Sequence, residues 1–277
     1  RKNYGKYFSK EFLNYTKEIY LINKNRNKQL LCEVKNLSKI LSKYNIEHVF
    51  LKGTAMILYG LYNDIGERMI GDIDLLFEKS KTGKIKKILN ELNYFGNNTY
   101  TFFKHRHLPR MKNKKKLFAL EPHTYLLKNR NYLLEIDKIF KNQMNIPDLN
   151  TIFFHNIYNH QINDLGNLKM SYSFRNIYDT ILILKNQNNF PVLKDNRYIV
   201  NYFYIIKKLQ IYDIKLFKKK VSIMIKSRFF LKKNFKSYYY MENQLITLFI
   251  KLTDLPKIIK KLILDKDYRI YIKNKFI

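Results

Sequence analysis

The 277-residue chain contains no tryptophan and a single cysteine, Cys32. One cysteine excludes an internal disulfide, and the sequence does not open with the apolar run of a secretory signal, so we expect a reducing, cytoplasmic location. No stretch of about 18 uninterrupted apolar residues is present, which argues against an integral membrane protein. Hydrophobic residues nevertheless make up 46% of the chain, and 20 Phe and 23 Tyr supply bulk for a folded core.

Acidic residues are also scarce. The 22 acidic side chains stand against 53 basic ones, a net charge of +31, so a polyanion such as RNA or DNA, or an anionic nucleotide, is the expected partner. The basic residues are 43 Lys and only 10 Arg, alongside 31 Asn, a composition typical of a genome rich in A and T. Since specific phosphate recognition favours Arg, charge by itself leaves RNA binding open.

The N-terminal half alternates helical and extended patterns. Apolar residues at helical spacing over 7–45 predict two helices, separated by the polar run 23–28. Strands are predicted at 48–51 and 73–77, with helices at 54–61 and 84–92. Further strand-like segments lie at 100–103, 117–120 and 132–136.

The C-terminal half is predicted to be mainly helical, with helical periodicity at 152–160, 174–184, 198–209 and 244–252. Residues 201–277 hold 19 basic and 5 acidic side chains with aromatic residues between them. Either a helical bundle with a solvated Lys face or a nucleic-acid surface explains this pattern. We therefore expect an α+β fold, with a first domain over 1–150 and a basic helical domain over 151–277.

The clearest chemical signal is a pair of aspartates, Asp72 and Asp74, in a predicted strand. Residues two apart on a strand project from the same face, so the two carboxylates lie side by side and attract a hard cation such as Mg²⁺. Gly53 precedes a predicted helix and lets backbone N–H groups approach a phosphate. These features together predict a site for a nucleoside triphosphate and a metal.

The run Leu51-Lys52-Gly53 to Arg68, followed by Gly71-Asp72-Ile73-Asp74-Leu75-Leu76, resembles the nucleotidyltransferase superfamily with the DNA polymerase β-like core. Within it, the sequence is most similar to the bacterial group of uncharacterised nucleotidyltransferases. The resemblance is specific over 48–78 and continues weakly through 105–109, 121–123 and 175–179. It implies a fold in which a small mixed sheet is flanked by helices. It also implies an enzyme that binds NTP with Mg²⁺ or Mn²⁺ and transfers a nucleoside monophosphate to an acceptor hydroxyl.

The resemblance also implies roles for the residues around the turn. Lys52-Gly53 replaces the more common Gly-Ser, so the hydroxyl contact to phosphate is missing and Lys52 or Thr54 is expected to take its place. A Lys that only covers the strand end in solvent is the alternative. Arg68 is expected to pair with the triphosphate or, structurally, with Asp72.

The superfamily uses a third carboxylate on a neighbouring strand. Glu121, at the end of the segment 117–120, is favoured over Glu135 and Asp137, which follow another strand-like run. His123 lies two residues after Glu121 and therefore shares its strand face, where it either supports the site or packs.

Other charged residues have weaker interpretations. His105 and His107 lack the partners of a zinc site, and the basic run 104–116 is either a solvated hairpin loop or a guide for an anionic acceptor. Arg175 and Asp179 are four apart on a predicted helix, where they form a surface ion pair worth about 0.3–0.5 kcal/mol or face the nucleotide cleft.

The acceptor is left open by the sequence. RNA, and the 3′ end of tRNA in particular, is the favoured acceptor, because related small nucleotidyltransferases that include toxins and defence proteins act on it. Nucleotidylation (AMPylation) of a partner or antitoxin protein is the alternative enzyme, and an inactive nucleotide- or RNA-binding module is the alternative from another class. No membrane partner is expected.

Overall fold

The computed structural model of the chain describes residues 5–96, 106–128, 134, 139, 145–186, 196–211 and 220–276. These residues form two compact units. The first contains the described residues up to 96 with 106–126 and 134–152, and the second contains 127–128 and the described residues from 153 onwards. None of the helices in the described part of the chain is long and apolar enough to cross a membrane.

The first unit opens with one long helix, α1 (Lys10–Lys43), where the sequence predicted two. Ser9 caps its first turn by accepting a hydrogen bond from the Phe12 N–H. The polar run 23–28 does not interrupt the helix, because its Lys and Arg residues are good helix formers and because Asn23 and Asn27 are buried against another segment of the chain. The prediction of a break was therefore wrong, since buried polar side chains were taken for a solvated loop.

A five-stranded mixed sheet follows. Its strands are β1 (His48–Phe50), β2 (Asp72–Phe77), β3 (Phe95–Gly96), β4 (Met111–Lys112) and β5 (Ala119–His123). Their order is β1-β2-β5-β4-β3, with β2 and β5 parallel and the other neighbours antiparallel.

Two helices connect the first strands, α2 (Lys52–Leu58) between β1 and β2 and α3 (Thr82–Glu91) after β2. Strand β2 is buried from Ile73 to Phe77, which is typical of a central strand covered on both faces. Fully buried apolar side chains from α1, α3 and the sheet form the core of this unit, among them Leu30, Leu41, Ile73, Leu75, Leu89 and Leu120.

The second unit is helical. Its helices are α4 (Leu149–Tyr158, which begins in the first unit), a π-helical turn (Asn159–Asn163), α5 (Gly166–Lys169), α6 (Phe174–Lys185), α7 (Arg197–Lys208), α8 (Ile223–Asn234), α9 (Lys236–Leu264) and α10 (Lys266–Phe276). Phe153 and Phe203 stack in its interior with ring centroids 6.3 Å apart. A smaller buried cluster joins Met170, Tyr204 and Phe229.

The predicted α+β class, with a small mixed sheet flanked by helices and a mainly helical C-terminal half, is confirmed. The two-residue strands β3 and β4 were not predicted, since strands this short carry no periodicity. The predicted strand at 100–103 lies outside the described residues, and so does the one at 132–136 apart from Leu134.

Candidate active site

Four side chains converge on one face of the paired strands β2 and β5. The parallel register places Asp74 beside Glu121 and Asp72 beside Ala119. Because residues two apart on a strand share a face, Asp72 lies on the same side as Asp74, and His123 on the same side as Glu121. The structure thus brings together residues that are about fifty positions apart in the sequence.

Asp74 is the centre of this cluster and is only 3% exposed. Its Oδ1 atom accepts hydrogen bonds from Lys52 Nζ and, over 2.8 Å, from His123 Nε2. An ionised carboxylate only accepts hydrogen bonds, so His123 Nε2 carries a proton. The same two donors reach Glu121, whose Oε2 lies 3.7 Å from Lys52 Nζ and 3.6 Å from His123 Nε2.

The electrostatics of the two carboxylates follow from these contacts. Burial opposes ionisation of Asp74, but the hydrogen bond from His123 and the ammonium of Lys52 outweigh it, so its pKa lies well below the usual range. Contact with His123 also lowers the pKa of Glu121, against the effect of burial. Both groups are therefore anionic at neutral pH and are compensated by neighbouring donors.

Asp72 has a different environment. Burial, with the nearby charges of Asp74 and Glu121, raises its pKa. Arg110 Nη2 lies 3.6 Å from Asp72 Oδ2 and donates to the Gly71 carbonyl over 3.2 Å.

The contribution of Arg110 was missed in the sequence, where it is one cation within the basic run 104–116. The structure shows that this run includes strand β4, which pairs antiparallel with β5. Arg110 precedes β4 directly and so reaches the same sheet face as Glu121. The position of Arg110 could have been predicted only from the pairing of 106–112 with 119–123, and the sequence contains no turn motif that defines this pairing.

The start of α2 supplies the residues predicted to contact phosphate. The Leu51 N–H donates to the Asp74 carbonyl over 3.0 Å, which fixes the beginning of the helix beside the aspartate. Lys52 has a left-handed backbone with φ 52°, a conformation that costs a residue with a side chain about 1–2 kcal/mol. Strain of this kind is common where the surrounding structure holds a functional side chain in place.

Gly53 and Thr54 are buried in the first turn of α2. A Cβ atom on Gly53 would lie 3.2 Å from Ile70 and 3.5 Å from the guanidinium of Arg68, so glycine permits a close approach of the 68–70 segment. The Thr54 hydroxyl is buried and has no hydrogen-bond partner among the described residues.

Helix α1 holds the segment that precedes Asp72. Asn23 donates to the Gly66 carbonyl over 2.7 Å, and Asn27 donates to the carbonyls of Ile65 and Arg68 over 2.5 and 2.7 Å. The Arg68 side chain donates in turn to the Met69 carbonyl over 2.7 Å. The polar run of α1 therefore positions the turn that leads into β2.

The remaining predicted residues are distributed as follows. His107 bridges to His123 at the edge of β5, with ring centroids 5.2 Å apart, and burial lowers its pKa. Asp179 is buried and Arg175 is exposed on α6, in the second unit. His105 and the alternative carboxylates Glu135 and Asp137 lie outside the described residues.

Side-chain atoms of Asp74, Glu121 and His123 all lie within 4.8 Å of one another, a spacing that one divalent cation can bridge. A strand pair that presents clustered carboxylates beside a helix start, with cations around them, is the arrangement of a phosphoryl-transfer site.

Comparison with known proteins agrees with this chemistry. The family model described as uncharacterised nucleotidyltransferase matches residues 1–186, so the chain belongs to that family. The protein is accordingly a nucleotidyltransferase. A search of curated proteins finds none that matches the chain significantly.

Among solved structures, the chain is similar to the solution structure of the antibiotic-resistance factor ANT(2'')-Ia. The similarity has a TM-score of 0.39 and 12% sequence identity, and covers 71% of this chain and 95% of that one.

Proposed function

We propose that the protein uses Mg²⁺ or Mn²⁺ to transfer a nucleoside monophosphate from NTP to an acceptor hydroxyl, with release of pyrophosphate. Residues 1–150 form the catalytic domain in this proposal, and the basic helical residues 151–277 contact the acceptor, for which RNA is favoured. The observation that supports it most is the parallel register that sets Asp74 beside Glu121, with Asp72 two residues away.

The residues present fit a divalent cation. Asp74 and Glu121 share one ammonium donor, Lys52 Nζ, which shows that this part of the site accommodates a positive charge between two carboxylates. Carboxylate oxygens are the ligands that Mg²⁺ and Mn²⁺ prefer. Asp72, Asp74 and Glu121 are therefore the residues that would hold the metal.

Each residue of the site then has a distinct task. A bound divalent ion would neutralise charge on the triphosphate and favour loss of the acceptor proton. In this proposal Glu121 favours deprotonation of the attacking hydroxyl, and His123 orients the Asp74 carboxylate through the hydrogen bond to Oδ1.

The cations of the site serve the nucleotide. Lys52 and Arg110 pair with the carboxylates in this structure, and in this proposal both cations would contact the triphosphate when a divalent ion is bound. The guanidinium of Arg68, 3.5 Å from where a Cβ atom on Gly53 would lie, is a third cation near the start of α2.

RNA is favoured as acceptor by the charge of the second unit. Residues 201–277 carry a net charge of +14, from 19 basic and 5 acidic side chains. Exposed aromatic rings such as Phe230, Tyr239 and Tyr240 lie among these cations, and rings of this kind stack on unpaired bases. The 3′ end of tRNA, as used by toxin or defence enzymes, is the acceptor to test first.

There are two alternatives to an RNA-directed enzyme. Nucleotidylation of a partner protein uses the same catalytic residues and differs only in the acceptor. An inactive binding module is disfavoured because the chain keeps Asp72, Asp74 and Glu121 together on one face of the β2–β5 pair, and a module without catalysis has no need of clustered carboxylates.

The test is label transfer from each α-³²P NTP, with Mg²⁺, into total tRNA and into whole-cell protein. We expect label in tRNA with the wild-type chain and none with Asp72→Ala/Asp74→Ala. The matched control, Glu47→Ala/Glu91→Ala, removes two exposed carboxylates from the same unit and should keep full activity.

Label in protein instead of tRNA would show that the acceptor is a protein and not RNA. If neither tRNA nor protein is labelled, transfer to these acceptors is contradicted. If the double aspartate variant also still binds RNA, the result supports the inactive binding module.

A further inference from the structure

Helix α9 (Lys236–Leu264) exposes a continuous apolar stripe to solvent. No residue of this 29-residue helix is buried within the described structure. Six apolar side chains recur along one face at alternating spacings of three and four residues, and each is between 39% and 56% exposed. We call this stripe the α9 seam; it consists of Leu245, Leu248, Leu252, Leu255, Ile259 and Leu262.

Spacings of three and four in alternation are a seven-residue repeat. A repeat of 3.5 residues keeps a stripe on one side of a helix only if the helix winds around a second helix, so this periodicity is the signature of a coiled coil. The fourth position of each repeat is occupied by Leu248, Leu255 and Leu262, and Leu is the residue that two-stranded parallel coiled coils favour there. The helix continues through Pro256, and the repeat is unbroken on both sides of it.

The described residues of the second unit leave the seam exposed. Contacts to the rest of this unit are made elsewhere on α9. Glu242, before the seam begins, pairs with Arg228 and Lys232 of α8, and Ile246 and Ile250, on the side away from the seam, are half-buried. Along the C-terminal part of the seam an apolar groove of about 510 Å³ lies open.

The exposed area suits an interface. The six seam side chains with the adjacent Phe249 and Ile263 expose on the order of 800 Å² of apolar surface, comparable to the roughly 800 Å² that each partner buries in a standard interface. An apolar patch of this size exceeds the 300–600 Å² that is typical of the largest patch on a monomer, and so marks a docking surface.

The charges around the seam are compatible with self-association. In a parallel, in-register pair, Lys251 of one copy faces Pro256 of the other, and Ile258 faces Ile263. Lys257 and Lys261 occupy positions away from the seam, and Lys260 borders the groove but lies outside the facing positions of the pair. Two identical helices therefore meet without like charges opposite each other, although each chain carries a net charge of +31.

We infer that a second copy of this chain docks on the α9 seam, and that the protein forms a parallel homodimer through α9. Because the contact is apolar and the two chains repel each other at long range, salt should strengthen it. Binding to RNA or to an anionic membrane has the opposite dependence, since salt weakens contacts between cations and polyanions.

Sedimentation equilibrium of the full chain over a range of protein and salt concentrations tests the inference. We expect a dimer whose dissociation constant falls as the salt concentration rises from about 0.1 to about 0.5 M, because the shorter Debye length weakens the repulsion between the two chains. Leu248→Glu/Leu255→Glu should be monomeric. The control Ile223→Glu, which changes an 80% exposed apolar residue on α8, should dimerise like the wild type.

A cysteine pair tests the geometry. In a Cys32→Ser background, Leu252→Cys should form a disulfide-linked dimer on mild oxidation, whereas Lys257→Cys, away from the seam, should not. Circular dichroism of every variant confirms that the fold is retained.

A wild-type chain that stays monomeric at all salt concentrations, or a double seam variant that still dimerises, would overturn the inference. If the wild type is monomeric and binds vesicles of anionic lipid through the seam, the stripe belongs to a lipid surface and the homodimer is wrong.

Discussion

The two units of the protein depart from the usual distribution of side chains in opposite directions. The first unit buries charge: Asp74, Lys52 and His123 meet in its interior beside Glu121. The second unit exposes apolar surface along α9, where Leu and Ile side chains are solvent-exposed.

Each of these departures has a free-energy cost. A buried carboxylate is stable only when cations or hydrogen-bond donors compensate it, and in the first unit Lys52 and His123 do so for Asp74. An exposed apolar stripe is stabilised only when it leaves water, so the second unit fits another apolar helix. The candidate catalytic residues and the proposed dimer surface thus lie in different units, so the two should respond to different substitutions.

The largest expected effect concerns the third carboxylate. Glu121→Gln removes the charge beside Asp74 and should slow nucleotide transfer about a hundredfold, the loss typical of a catalytic electrostatic or proton-accepting group. Single-turnover transfer of labelled nucleotide measures it. Glu135→Gln is the matched variant of the alternative carboxylate, and a larger loss there than at Glu121 would reverse the assignment.

The next effect concerns the helix that positions the site. Asn27→Ala removes two hydrogen bonds to the carbonyls of Ile65 and Arg68, which leaves buried acceptors unpaired and should lower the free energy of unfolding by about 2 kcal/mol. Urea denaturation measures the change. Asn25→Ala, on the exposed side of the same helix, should change it by less than about 0.5 kcal/mol. Equal losses in both variants would mean that helix propensity, and not the contact with the turn, is the cause.

A smaller effect is expected on metal binding. Lys52→Met removes the ammonium that compensates Asp74 and Glu121, so Mn²⁺ should bind about tenfold more tightly to the nucleotide-free protein, while transfer should slow. Calorimetry or the paramagnetic resonance of free Mn²⁺ gives the affinity. Lys115→Met changes an exposed lysine of the same unit and should leave the affinity within about twofold. Unchanged affinity in Lys52→Met would place the metal away from Asp74.

The smallest effect is a titration at the edge of the first unit. The Lys24 ammonium and the Gly66 N–H lower the pKa of Asp64 from 3.8 to about 2. A carboxyl with a lowered folded pKa adds stability above its unfolded value, and this stability is lost as the pH falls from about 4 towards 2. Carbon NMR of the Asp64 carboxyl should give a midpoint near 2, and Lys24→Met should move it towards 3.8. A midpoint near 3.8 in the wild type would show that the ion pair does not persist in solution.

Much of the first unit is determined by local sequence. The short, largely apolar run 73–77 places β2, helical spacing places α2 and α3, and the spacing of two puts Asp72 and Asp74 on one strand face. These patterns are readable because they depend on neighbours within one or two turns of the chain. The placement of Glu121 beside Asp74 agrees with the sequence preference for Glu121, and the assignment of its role stays a prediction.

Other features were decided by tertiary structure. Asn23 and Asn27 are interior residues of α1 only because the segment 65–68 lies against them. Arg110 reaches Asp72 only because a short hairpin pairs with β5. In both cases, the partners are about 40 residues apart, and no local pattern encodes which polar group will meet which.

The sequence by itself determined the class of fold, the strand that carries the paired aspartates and the basic helical half. The tertiary structure decided which side chains compensate those aspartates and which face of α9 is left without a cover. The physical reason is that periodicity records which residues avoid water, whereas pairing of charges and exposure of a stripe depend on contacts between segments far apart in the chain.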